Sequence, residues 1–190
     1  MPLLKGNLHA HTTFSDGRWP VEEVLARYRK LEYDFVAVTD HDTWVDGDYW
    51  FRIPSGDDRM LVLPGIEIDY MPLSQHVGKV TGDHETLYIL NHPSRYRLTV
   101  EGVLRRIEVI RAAGLPIEAV EVTESGIYHP RYDVSEIPLP KIATDDSHRD
   151  PQFGRAWIEV DAARNPDAIL RAIRAGEFRK VFAEPAPAGQ

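Results

Sequence analysis

The sequence predicts an α/β domain built on a mainly parallel sheet. Three observations carry that expectation. Short β-branched and apolar runs alternate with helical stretches along most of the chain. The run Phe35-Val36-Ala37-Val38-Thr39 is continuously apolar up to its threonine, as a strand covered on both faces is. Polar, chemistry-bearing residues gather where the strand-like runs end, the edge at which α/β barrels and open sheets place their sites.

Taken in order, residues 8–12 read as a buried first strand. Pro20 then sits at a helix start, with Glu22 and Glu23 in the first turn, where the helix dipole favours negative charge. Val21, Val24, Leu25, Tyr28 and Leu31 recur every three or four residues, so one face of this helix packs on a core. Residues 35–39 form the second strand, and 44–58, polar and punctuated by Gly and Pro, a loop with at most one helical turn. Residues 60–68, 76–80 and 86–90 are strand-like. Residues 100–113 carry Val103, Leu104, Ile107 and Ile110 on one helical face, with Gly114 as the stop. Strands follow at 117–122, 141–144 and 156–160, with a proline-rich loop at 128–140. Asn165-Pro166-Asp167 caps a last helix that ends at Gly176. No repeat or long linker divides the chain, so residues 1–184 read as one domain and 185–190 as a disordered tail.

The composition narrows the function. With 43% hydrophobic and 27% charged residues the chain is of globular type. A net charge of −8 argues against a broad nucleic-acid surface and leaves only a short nucleotide as a ligand of that kind. There is no cysteine, which removes disulfides, thiolate metal sites and thiol nucleophiles. Neither a secretory leader nor a membrane-length apolar run is visible, so a cytoplasmic location is expected.

Any metal must therefore be held by His and carboxylate. His9 and His11 are one residue apart, so on a strand both project from one face. Asp146 and His148 repeat that spacing. Ten groups fall at or near strand ends: His9, His11, Asp16, His41, Glu67, His76, His92, Glu121, Asp146 and His148. Burying so many unpaired polar groups would cost a few kcal/mol each unless something satisfies them, and metal ions do. A multinuclear metal site is the expectation. Mixed His and carboxylate ligands suit Zn, Mn and Fe.

Four ordered motifs resemble the PHP (polymerase and histidinol phosphatase) metallohydrolases. They are His9-Ala10-His11 with Ser15-Asp16-Gly17, Thr39-Asp40-His41, Gly65-Ile66-Glu67, and Thr144-Asp145-Asp146-Ser147-His148. Asn91-His92-Pro93 and His76 resemble further family positions. The resemblance implies a distorted (β/α)7 barrel with two or three divalent metal ions (Zn, Mn or Fe) at the strand C-termini. It implies that His9, His11 and Asp146 hold one ion and that Glu67 bridges to a second held by His76 and His92. Asp16, His41 and His148 would hold a third, or else serve as acid, base or substrate-contacting groups. Where the family often has a further Cys or His, this chain offers Glu121 or His129.

The implied activity is a metal-dependent phosphoesterase in which a metal-bridged hydroxide attacks a small phosphorylated substrate. Asp16, His41 or His148 would move the proton to the leaving oxygen. Arg95 and Arg149, with Arg18 as a third candidate, would bind the phosphate. Asp40, Asp42 or Asp145 would orient ligand imidazoles, and Trp44 and Trp50 would wall the pocket. Rival readings keep the metals but cleave a carboxyl ester or carbamate, narrow the activity to histidinol phosphatase, or make the module a non-catalytic metal-stabilised scaffold.

Overall fold

The computed structural model describes residues 3–183. In chain order the elements are β1 (Leu4–Asn7), α1 (Val21–Lys30), β2 (Phe35–Val38), α2 (Tyr49–Arg52), β3 (Leu61–Tyr70), β4 (Gln75–Thr81), β5 (Thr86–Leu90) and α3 (Val100–Ala112). Then follow β6 (Ile117–Glu121), the small hairpin β7 (Thr123–Glu124) and β8 (Ile127–Tyr128), β9 (Lys141–Ile142), β10 (Ala156–Val160), α4 (Pro166–Ala175) and β11 (Phe178–Phe182). Apart from the hairpin the strands form one sheet in the order β11-β10-β1-β2-β3-β4-β5-β6-β9. A parallel bridge between Ala10 and Ser147 joins the chain after β9 to the chain after β1, so the sheet curls into a nearly closed barrel.

The barrel is distorted in an identifiable way. β1, β2 and β3 are parallel, as are β5, β6 and β9, but β4 runs antiparallel to both β3 and β5. β10 and β11 add an antiparallel flank to β1. The sheet is therefore mixed rather than mainly parallel, because β3–β4–β5 is a meander with short connections and no crossover helix. One consequence bears on the site. His76 lies at the start of β4, not at a strand end, and reaches the same rim only because β4 runs backwards.

Strand alternation sorts the core. Phe35, Ala37 and Leu63 point into the barrel with Leu4, Leu87, Ile89 and Ile158, and Ile169, Leu170 and Ile173 of α4 pack into the same cluster. Val36 and Val38 face outward onto Val21, Val24, Leu25 and Tyr28 of α1. Val103, Ile107 and Ile110 of α3 cover Leu90, Ile117 and Val120. The Asn165 side chain accepts from the Ala168 amide at 2.9 Å and Gly176 closes α4 in the left-handed conformation, as its sequence signals predict.

Several elements differ from expectation. β1 stops at Asn7 instead of spanning residues 8–12, and β9 stops at Ile142 instead of Thr144. Past those points the backbone bonds to side chains: Ala10 N–H to Thr39 Oγ1 (3.1 Å), Thr12 N–H to Asp40 Oδ1 (2.8 Å) and Asp145 N–H to Asn7 Oδ1 (2.8 Å). β11 has no counterpart in the sequence reading, since Arg179 and Lys180 interrupt its apolar pattern. The tail expected at 185–190 lies outside the described residues. No helix among the described residues is long and apolar enough to cross a membrane.

Candidate metal centre

The rim of the barrel gathers the charged groups. His9 and His11 sit on the extended, buried chain just past β1, and both are about 1% exposed. Asp16 follows on a tight turn in which Ser15 and Gly17 amides both donate to the Thr12 carbonyl. Gly17 is required there, because a Cβ would stand 2.6 Å from the His11 carbonyl oxygen. β2 runs out into His41, which bridges to Glu67. His92 follows β5 and Asp146 follows β9, and both adopt left-handed backbone, with φ of 24° and 46°. Such conformations cost on the order of 1–3 kcal/mol and persist only where surroundings enforce them. His92 is enforced by its amide, which donates to Glu121 Oε2 at 2.7 Å.

Glu67 is the hub. Its Oε1 lies 3.1 Å from His9 Nε2, 3.3 Å from His76 Nδ1 and 3.2 Å from His92 Nε2. Its Oε2 lies 3.4 Å from both His11 Nε2 and His41 Nδ1. Burial alone would raise the Glu67 carboxyl, but the surrounding imidazoles, His9 foremost, hold it well below the usual range. Burial likewise opposes charge on His9, yet Glu67, Asp146 and Glu121 together hold its pKa well above the ordinary value. Asn91, which had no role among the expectations, donates to Glu67 Oε1 at 2.7 Å.

Four sets of ligand atoms lie within 4.8 Å of one another: His11, Asp16, His41 and His148; His9, Glu67 and His92; His9, His11 and Asp146; and His41, Asp69 and His76. Nine of the ten groups read from the sequence fall in these sets, all but Glu121. The residues fit metal ions on an observation independent of the motifs. Asp146 Oδ1 is buried with no hydrogen-bond partner, 3.4 Å from His9 Nε2 and 3.6 Å from His11 Nε2. Those two imidazole nitrogens stand 3.1 Å apart, a convergence of lone pairs that a cation satisfies.

Several of the expected groups lie away from the converging atoms. Glu121 is not among the converging ligand atoms. Its Oε1 accepts from His9 Nδ1 at 3.1 Å and from the Thr144 hydroxyl, and its Oε2 takes the His92 amide, so both oxygens are committed behind the ligands. His129 sits in the loop at 3.8 Å from Glu124 and outside the sets. Asp40, Asp42 and Asp145 touch no imidazole. Asp40 accepts from Thr12 and from Ser15 Oγ (2.6 Å), and Ser15 Oγ lies 3.3 Å from His11 Nδ1, so Asp40 acts one residue removed. Asp145 caps the amides of Gly154, Arg155 and Ala156 at 2.8, 2.7 and 2.9 Å. Burial, the largest influence, pushes its pKa up to about 6.

Two cavities open at the rim and share Asp16 and Arg95. One, of about 470 Å³, is lined by Arg18, Arg95, Arg149, Ser125, Gln152, His148 and Asp16. The other, of about 330 Å³, is lined by Trp44, Met71, Ser74, Asp69, His41 and His76 besides the shared pair. Trp44 is thus a wall of the site, while Trp50 lines a separate surface cavity with Ile53 and Pro54. At the mouth His148 Nε2 lies 3.3 Å from Asp16 Oδ1. Burial opposes charge on His148, but its bond to Asp16 and the nearby Asp146 carboxylate raise its pKa above the ordinary value.

Residues 134–178 match the family model described as PHP-associated. The sequence matches no curated protein. Among solved structures, the fold is similar to that of a two-domain protein from Bacteroides vulgatus containing a predicted PHP-like metal-dependent phosphoesterase, with a TM-score of 0.71 at 17% identity. The similarity covers 95% of this chain and 65% of that one, so the chain spans under two thirds of that protein's length. It is also similar to PsfC from Pseudomonas syringae, with a TM-score of 0.69 at 15% identity over 96% of this chain and 93% of that one.

Proposed function

We propose that this chain, PHP-like in its fold and over residues 134–178, is a metal-dependent hydrolase whose target is a phosphoester of a small molecule. The observation that carries the proposal is the buried, unpartnered Asp146 Oδ1 facing two imidazole nitrogens inside a ring of further ligand atoms. In this reading His9, His11 and Asp146 hold one ion. Glu67, His76 and His92 would hold a second, and Asp16, His41 and His148 a third where one binds. When bound, the ions supply Lewis acidity that activates water and clamps the oxygens of an in-line displacement.

The chain's own residues do the rest. Glu121 holds His9 by Nδ1, which leaves Nε2 for coordination. Arg18, Arg95 and Arg149 line one cavity without a carboxylate partner among the described residues, as a site for an anionic substrate requires. Arg95 also borders the cavity walled by Trp44 and Met71, which suits the organic part of the ester. His148, with its proton held by Asp16 at 3.3 Å, is positioned to protonate the leaving oxygen when no third ion occupies that pair.

The test is metal analysis of the purified chain together with turnover of phosphomonoesters, phosphodiesters and carboxyl esters in Zn, Mn and Fe. Phosphoester turnover that vanishes in His9→Ala and in chelator supports the proposal. Turnover of carboxyl esters alone moves the chemistry to a carbon centre. No turnover of any ester, with His9→Ala lowering only thermal stability, leaves a metal-stabilised scaffold.

A further inference from the structure

Asp69 belongs to this site although no motif pointed to it. It follows Glu67 by two residues on β3, so both carboxylates leave the same face of the strand. Asp69 is also the direct cross-strand partner of His76 on β4. Its amide donates to Asp42 Oδ1 at 3.0 Å, which anchors this end of β3 to the segment carrying His41. Its side chain is 16% exposed and lies at the rim of the smaller cavity.

The contacts of this carboxylate are specific. Oδ1 lies 2.9 Å from His41 Nδ1 and 3.3 Å from His76 Nε2. Oδ2 accepts from the Thr43 hydroxyl. Each imidazole therefore has one nitrogen on Asp69, which at His41 is the nearer of two carboxylates because Glu67 Oε2 stands 3.4 Å from the same Nδ1, and its other nitrogen toward a different group. His41 Nε2 faces Asp16 Oδ2 at 3.8 Å, within the set of His11, Asp16, His41 and His148. His76 Nδ1 faces Glu67 Oε1 at 3.3 Å. A carboxylate that accepts from the outer N–H of an imidazole fixes its tautomer and aims its lone pair. Here one carboxylate does so for two imidazoles that face different parts of the site.

We infer that Asp69 is a shared positioning residue, which holds His41 with its proton on Nδ1 and His76 with its proton on Nε2 and so couples the binding of two metal ions. The inference rests on the proposed metal centre. Without Asp69 both rings are free to turn and both lose the partner that makes them more basic. Losing the carboxylate that orients a ligand imidazole weakens metal binding about 10–100-fold. The coupling requires that two ions weaken together, because a single carboxylate serves a ligand of each.

The test has two arms, neither of which reads turnover. In the first, zinc-loaded wild type, Asp69→Asn, Asp69→Ala and His76→Ala are titrated with a competing chelator, and bound zinc per chain is measured. The expectation is that both Asp69 variants release two ions at a chelator strength about 10–100-fold lower, while His76→Ala weakens one. Complete loss of a single ion in Asp69→Ala, with the rest held as in wild type, makes Asp69 a direct ligand and overturns the inference, as does an unchanged titration. In the second arm, nitrogen-15 NMR of the zinc-loaded wild type reads the imidazole tautomers and needs no variant to fold. Protons on His41 Nδ1 and His76 Nε2 are expected, and the opposite tautomer at either ring overturns the inference. A wild-type chain that takes up no metal overturns the proposed metal centre itself, whereas Asp69 variants that bind metal as wild type does overturn this inference alone.

Discussion

Replacing Glu67 with glutamine tests the architecture of the site at its hub. The change keeps shape and the hydrogen bond from Asn91, but it removes the charge that five imidazoles share. A ligand that binds only the folded chain stabilises it by about 4.1 kcal/mol at a thousand times its Kd. For a chain of 190 residues each kcal/mol shifts Tm by about 2–4 °C, so each tightly held ion raises Tm by about 8–16 °C. Because Oε1 and Oε2 face different histidines, Glu67→Gln weakens the ions on both sides, and most of the metal-dependent rise disappears. The assay is thermal unfolding of wild type and variant with and without chelator. The difference between the two conditions is compared, so any effect on the metal-free fold cancels. A variant that keeps the full metal-dependent shift refutes the placement of Glu67 between the ions.

Other expectations follow from single contacts. Asp145→Ala strips the acceptor from the buried Ala156 amide and the part-buried Gly154 and Arg155 amides, and a buried amide left unsatisfied costs about 1–3 kcal/mol, so urea unfolding should show a loss of at least about 1 kcal/mol. Gly78→Ala places a Cβ 2.9 Å from Asn91 Oδ1 and should displace the amide that donates to Glu67. It should therefore reproduce the metal-affinity loss of Asn91→Leu, and the double variant should be no worse than either single one. Arg149→Met should raise KM for a phosphorylated substrate about tenfold or more with bound metal unchanged, as loss of a charge-assisted hydrogen bond of about 1.5–3 kcal/mol requires.

Much of this was legible because the chemistry repeats a short spacing. Paired histidines one residue apart, and an aspartate and histidine likewise, mark strand extensions with a shared face, and helices α1, α3 and α4 announce themselves by period and caps. Asp69 obeys the same spacing relative to Glu67, so the signal was present. It was masked because β3 runs three residues beyond Glu67, past the expected strand end. The antiparallel course of β4 was hidden for a different reason. Strand direction is set by connection length and pairing, and the short links on either side of β4 favour a meander that composition alone does not reveal. Glu121 illustrates a third limit. Its position at a strand end was readable, but whether a carboxylate meets an ion or a ligand's outer nitrogen depends on a few ångströms of depth.

The rim of the barrel departs from regular structure where the proposed ligands stand. The regular strands stop at Asn7 and Ile142, and two of the proposed ligand positions, His92 and Asp146, take left-handed backbone that costs on the order of 1–3 kcal/mol each. Regular strands would project alternate residues to opposite faces and could not bring five histidines around one glutamate. The side chains that replace the ladder, Asn7, Thr39 and Asp40, bond backbone amides of the very segments that left it, and Asp145 caps the amides that lead into β10. They are fully buried, whereas the arginines and Trp44 that border the cavities are exposed. That division has a physical basis. Groups that fix backbone at a strained rim must exclude water to hold it, while groups that meet a substrate must be reachable from solvent. Substitutions in the first set should therefore register in stability and metal affinity together, and substitutions in the second in substrate affinity alone.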